Sequence, residues 1–292
     1  LGIAFCGGGL GNIILQTLAG KWLTDPNIGY KGAYFRFGLI ALIGTLLIAI
    51  FLVRLPKSAD ELAANKPKKK LEGQEDVAHH VSWGYTMGET TKMPQFWLIA
   101  ASFIFIGFYV SGFALQFIPY FQSLEQQKIL LISSATLASM FGLFSIFGNV
   151  FGGVLFDKLG LSKSFILAGI LVVLAGLCLL FVGKINVLGY VFTVAFGISM
   201  FSYVMGPSYM TGALFGDRDY GAILGFIQLF FAAGFAIGTP IFSLILEKAG
   251  WAMAWTSSVI FAVIAYAGLL TASLSILKMN KENNVQETKR IS

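Results

Sequence analysis

A bundle of membrane-spanning α-helices is the fold class this sequence predicts, and three observations carry the prediction. Hydrophobic residues make up 57% of the 292 and charged residues only 12%, with a mean hydropathy of +0.79. A soluble domain carries about a quarter charged residues, so this chain has too little polar surface to face water. Second, the apolar residues gather into runs of the ~17–25 residues that a helix needs to cross a bilayer. Third, those runs do not alternate apolar with polar residues, which excludes a membrane β-barrel, whose strands run to ~10 residues and alternate. Helices are the remaining spanning solution, because in lipid each backbone N–H and C=O must be paired inside its own segment.

Eight runs qualify: 2–22, 33–54, 96–120, 130–156, 164–183, 187–215, 222–246 and 253–277. An even number leaves both ends on one face. Of the 20 Lys and Arg residues, only Lys21, Lys31, Arg36, Lys128, Lys184 and Lys248 fall opposite the loop 55–95 and the tail 278–292. The rest share the face of that loop and tail, which the positive-inside tendency assigns to the cytoplasm. The expectation is a multi-pass protein of the cell membrane with its central linker and C-terminus cytoplasmic. The net charge of +6 follows from this topology, so no nucleic-acid partner is expected.

The linker divides the runs. Residues 1–54 hold two helices, 55–95 form a polar linker of mixed charge, 96–277 form a six-helix bundle and 278–292 a tail. Lys68, Lys69 and Lys70 in the linker suit anionic lipid, although a solvated loop is the commoner meaning of such a run. His79 and His80 have no Cys or acidic residue at ligand spacing, and Cys6 and Cys178 lie far apart within apolar runs. Neither pair predicts a metal site or a disulfide framework, and no cofactor is expected. The apolar start "LGIAFCGGG" has no basic n-region or cleavage site; it reads as the interior of a longer protein. Gly7, Gly9 and Gly11 with Asn12 break the G-x-G-x-x-G phosphate pattern, so close helix packing is the expected role.

Two turns are alike. "GYKGAY" at 29–34 joins the first and second runs, and "GWAMAW" at 250–255 joins the seventh and eighth. Each follows a helix with glycines four apart, Gly7 and Gly11 in one and Gly234 and Gly238 in the other. If they correspond, the first two runs match the last two of a six-helix unit, and four further helices precede them in a twelve-helix plan of two similar halves.

The stretch "GGVLFDKLGLSK" at 152–163 lies in a tight gap between two spans of the six-helix unit. Gly153, Asp157 and Gly160 there fall at the spacing of a signature carried by the major facilitator superfamily, between the second and third helices of each half. Lys163 supplies the cation, while Leu161 and Ser162 stand where the family prefers basic residues. On this resemblance the chain covers helices five to twelve, eight of an expected twelve. The resemblance also implies that Asp157 latches the cytoplasmic side shut in one state and releases it in the other. That role fits the physics: a carboxylate at a helix C-terminus opposes its own dipole and gains from a cation or helix N-terminus in the other half. The competing reading is a plain turn whose lysines set topology.

Residues 82–103, "SWGYTMGETTKMPQFWLIAASF", resemble the approach to the seventh helix in the oxalate/formate antiporter and monocarboxylate transporter-like branch. Residues 215–242 resemble that branch's approach to the eleventh. The implied function is alternating-access transport of a small organic solute, a monocarboxylate-like anion, with a proton left open as coupling ion and symport or antiport undecided. Oxalate itself is not expected, because no Arg or Lys lies within 130–156 or 222–246.

Uncharged polar residues form two stripes at helical spacing. Tyr109, Gly112, Gln116 and Tyr120 share one face of the seventh helix; Ser199, Ser202, Tyr203, Gly206 and Tyr209 share one face of the tenth. Gly206 and Pro207 should interrupt the latter, since proline removes a backbone hydrogen bond. The resemblance implies that these two helices line the cavity, so the stripes, with Gln228 in the eleventh, are the candidate substrate contacts. Interhelical bonding is an equal alternative for them, and the favoured one for Asn12, Gln16, Ser145 and Asn149. An enzyme would need a nucleophile–base pair or metal cluster at one depth, which the spans lack, and no loop is large enough for a sensing domain. The other transporter reading is an exporter of apolar or drug-like compounds, suited to an aromatic, uncharged cavity.

Overall fold

A computed structural model describes residues 18, 22, 28–51 and 83–291. The run at 2–22, with the glycines at 7–11, Asn12, Gln16 and Cys6, the lysine cluster and the paired histidines fall outside the described residues, apart from Leu18 and Trp22. The chain divides into two compact units, Ile14–Val81 and a larger one formed by Ser82–Ser292 with Leu1–Ile13.

In the smaller unit, helix α1 spans Gly29–Phe51, opening four residues before the apolar run does because Gly29, at φ +58°, turns the chain directly into it. Leu42 and Ile50 project outward, as on a helix solvated by lipid. Arg36 is exposed and lies 5.4 Å from the ring of Trp22, a cation–π contact.

The larger unit contains α2 (Met87–Thr90), α3 (Pro94–Gln126), α4 (Ser134–Phe181), α5 (Leu188–Ser199), α6 (Phe201–Val204), α7 (Gly206–Phe215) and α8 (Tyr220–Ile291). At 1.5 Å per residue, the 48 residues of α4 would extend about 72 Å, more than twice the ~30 Å hydrocarbon core. Gly160 (φ +75°, ψ 172°) breaks it into two limbs; Gly250 (φ +77°, ψ 178°) does the same to α8. A Cβ at either position would meet nothing, so the left-handed backbone alone calls for glycine there. With α3 and the 28-residue stretch Leu188–Phe215, the limbs make six crossings among the described residues of this unit. The second limb of α8 continues as helix to Ile291, beyond the end of its apolar run.

Small residues set the helix spacing, as expected where lipid supplies no hydrophobic drive between helices. A Cβ on Gly107 of α3 would strike the α8 backbone at Phe231 and Phe235, and one on Gly234 would strike Ile104. Gly238, one turn along α8, abuts Phe108 and Ser111. Gly148 on α4 meets the carbonyls of Gly197 and Ile198 on α5 in the same way. Around these seams lies an aromatic core including Phe113, Phe117, Phe156, Phe192, Phe196 and Trp255, all buried.

The last residues of the linker belong to this unit. Gly84 pairs with Gly216 in an antiparallel bridge: the Tyr85 amide donates to the Phe215 carbonyl and the Asp217 amide to the Trp83 carbonyl, both at 2.8 Å. Both glycines have positive φ, and a Cβ on either would collide with the other strand's backbone. The Met87 amide donates to Asp219 at 2.8 Å, and the Tyr85 hydroxyl donates to Asn280 at 2.8 Å. Asn280 in turn donates to the Leu214 carbonyl. Helix α2 opens with a capping box between Thr86 and Glu89, whose amide and then hydroxyl bonds from Thr86 hold the Glu89 carboxyl below its ordinary range.

Candidate functional site

The two polar stripes meet inside the six-helix unit through a residue that belongs to neither. Tyr109, on α3, is fully buried and lies 3.0 Å, hydroxyl to hydroxyl, from Tyr266 on the second limb of α8. Tyr266 lies 2.6 Å from the Ser202 hydroxyl on α6, and Ser202 donates to the Ser199 carbonyl at 2.8 Å. A serine has one proton to give. Ser202 therefore accepts from Tyr266, which accepts from Tyr109, and the chain of bonds has a single direction. Ser199 is also buried, its hydroxyl bonded to the Phe196 carbonyl.

The remaining stripe members divide by what they touch. Tyr120 donates to the Leu179 carbonyl at 3.2 Å, tying α3 to α4, and packs against Trp251 and Trp255 with ring centroids 4.8 and 5.4 Å away. Tyr209 stacks on Phe156 at 4.7 Å and donates to its carbonyl; Tyr203 stacks on Phe231. These contacts are bonds between helices. Gln116 and Gln228 differ: each is half-buried, and among the described residues neither side chain has a hydrogen-bond partner. Ser145 bonds to Gly142, while Asn149, though buried, leaves its Oδ1 unpaired.

The tenth crossing is interrupted twice, after Ser199 and at Met205 (φ −99°) immediately before Gly206. Pro207 sits in the first turn of α7, where its missing N–H has no helical acceptor to lose.

At the turn of α4, Asp157, Lys158 and Lys163 are all exposed, and Gly160 makes the corner. The two preceding glycines are not equivalent. A Cβ on Gly152 would run into Phe201, whereas Gly153 has only an ordinary contact with Met205 at 3.6 Å. The close helix approach belongs to Gly152. Ser164 closes the corner by donating to the Leu155 carbonyl at 3.2 Å.

A family model described as Major Facilitator Superfamily matches residues 1–209 and, in a second overlapping match, 128–290. The chain belongs to the Major Facilitator Superfamily. It is a multi-pass membrane transporter that takes small-molecule substrates in a lipid environment, and its all-α fold is that of the superfamily in part. No curated protein matches the chain. Among the described residues no cluster of His, Cys, Asp and Glu is placed to hold a metal ion, and Cys178 is a free, buried thiol.

Sequence spacing within this superfamily member overlooked Tyr266. A signal was present: one hydroxyl in the middle of the otherwise apolar "IFAVIAYAGLL" is costly in lipid unless it is bonded. Tyr266→Phe should leave Ser202 and Tyr109 each one bond short and lower stability by about 1 kcal/mol, the scale of interhelical bonds in membranes. Thermal unfolding in detergent measures it, and an unchanged midpoint would remove the network's structural role.

Proposed function

We propose that this protein is a secondary carrier that moves a small monocarboxylate-like anion across the cell membrane by alternating access. Its linker and C-terminus lie in the cytoplasm, residues 1–54 close one helical bundle, and 96–277 form the other. The observations that carry the substrate class are two separate amides, Gln116 and Gln228, each half-buried and without a hydrogen-bond partner among the described residues, at different depths of α3 and α8, whose parallel packing sets Ile104 beside Gly234 and Phe108 beside Gly238. An amide N–H₂ offers two donors to a carboxylate without the insertion cost of a mid-membrane charge, ~2.5–3.5 kcal/mol on insertion scales. One extra negative charge, as in a dicarboxylate, would be left uncompensated there. The similarity of 82–103 and 215–242 to the oxalate/formate and monocarboxylate branch supports the same reading. The double match of the family model, in which residues 128–209 fall within both matched ranges, supports the carrier architecture of two similar halves.

The wall of the unit also favours a second reading, export of apolar compounds, because Tyr203 stacks on Phe231, which meets Phe235 at a tilt, in an aromatic face near Gln228. Counterflow of labelled formate or lactate in proteoliposomes of the full-length protein separates the two. Exchange of the acids is expected; dye efflux without exchange would replace the first reading by the second. Gln116→Leu and Gln228→Leu should each raise KM by about tenfold to a hundredfold, the loss of a hydrogen bond to a charged partner at ~1.5–3 kcal/mol, with stability unchanged. An unaltered KM in both would exclude the amides from the site.

A further inference from the structure

A groove of about 510 Å³ runs between the second limbs of α4 and α8. Gly169 and Tyr266 form its floor, with Ile166, Ile170 and Leu177 on one wall and Val263 on the other. Its lining is almost wholly apolar, yet the residues on its rim are exposed. The groove exists because Gly169 has no side chain: a Cβ there would press on the ring of Tyr266 at 3.2 Å. We propose that this groove binds one acyl chain of an anionic phospholipid, whose headgroup is held by Lys163.

Length and charge select that occupant. From Ile166 to Leu177 the groove covers eleven residues of helix, about 16 Å, close to half the ~30 Å hydrocarbon thickness. That suits a lipid tail from one leaflet, whereas a partner helix would need a seam through both. Lys163, Ile166 and Ile170 follow one another at three and four residues, so they stand on one face, and Lys163 is exposed at the end of the groove. The contacts Gly169–Tyr266 and Gly176–Val259 show that the two limbs run antiparallel. The antiparallel course carries the exposed Lys278 toward the same end. Asp157 is the acidic residue on the adjoining corner, outnumbered there by Lys158 and Lys163. A cation at the rim of an apolar slot selects a negative headgroup over a zwitterionic one. Each lysine near such a charge contributes about a fivefold preference.

The test is lipid retention by the purified full-length protein, followed by native mass spectrometry during titration with phosphatidylglycerol and phosphatidylcholine of identical acyl chains. At least about fivefold tighter retention of phosphatidylglycerol is expected. Lys163→Gln should reduce that preference about fivefold while leaving phosphatidylcholine unaffected. Ile170→Trp, which fills the groove from an outward-facing position, should lower retention of both lipids. Val263→Trp does so from the opposite wall should the first variant fold poorly, and thermal unfolding reports folding for each. Lys248→Gln, on the other face of the unit, should change nothing. Equal retention of the two lipids, or an undiminished preference in Lys163→Gln, overturns the proposal. Disulfide trapping of a second copy through Ile170→Cys would also overturn it and assign the groove to a dimer contact.

Discussion

Gly234→Leu should abolish most of the folded protein, giving an aggregated profile on gel filtration or an unfolding midpoint lowered by at least ~6 °C. Gly234 faces the backbone of α3, and its hypothetical Cβ would lie against the Ile104 carbonyl with the Cα and carbonyl carbon 2.8 Å away. A flexible side chain could swing aside, but a backbone cannot, so the helices must separate. Separation also loosens Gly107 against Phe231 and Phe235 and Gly238 against Phe108, since all three glycines lie on one seam. Overpacking of a single core site costs about 1–3 kcal/mol, and for a domain of this size each kcal/mol lowers the midpoint by ~2–4 °C; the shared seam sets the expectation at the upper end. Gly225→Ala is the matched control on the same helix. A Cβ there meets nothing, so relief of glycine's backbone entropy should raise stability by ~0.5–1 kcal/mol. Wild-type behaviour of Gly234→Leu would mean that the α3–α8 seam is not close-packed.

Asp157→Ala in the full-length protein should reduce solute flux by at least ~10-fold with little change in folding. Asp157 is exposed at the end of the first limb of α4, so its removal costs no core contact within this unit. On the latch reading, its carboxylate, opposed by the dipole of the helix that carries it, gains from a partner in the other half. A hydrogen bond to a charged group contributes about 1.5–3 kcal/mol, and each 1.4 kcal/mol shifts a two-state ratio tenfold. Losing it would trap the carrier on one side of its cycle. Proteoliposome exchange reads the flux, and thermal unfolding separates a trapped carrier from a damaged one. Wild-type exchange by Asp157→Ala would leave Gly160 as a simple corner with topology-setting lysines.

Crossings were readable from composition and run length because lipid imposes both, and the larger unit has its six where apolar runs occur. The ends of helices were less readable. α1 begins at Gly29 rather than 33, since a glycine at positive φ starts a helix abruptly and hydropathy does not register it. The corners at Gly160 and Gly250 were visible as glycines between apolar runs, although not as left-handed breaks with helix running directly up to and away from them. The stripes named polar residues without their neighbours: periodicity places Tyr109 and Ser202 on their helices, but only packing brings Tyr266 between them. For the same reason Gly234 and Gly238 stood out as a pair while their counterpart Gly107 did not. The Trp251–Trp255 stack, with centroids 5.6 Å apart, was seen only as a repeated turn, because its contact with Tyr120 depends on a helix far away in sequence.

The Gly84–Gly216 bridge has a mechanical consequence. Through Tyr85, Met87 and Asn280 it fastens residues 83–87 to the junction of α7 with α8 and to the far end of α8. A pull applied at residue 83 is thus shared among the end of α7, the start of α8 and Asn280 instead of being delivered to the first turn of α3.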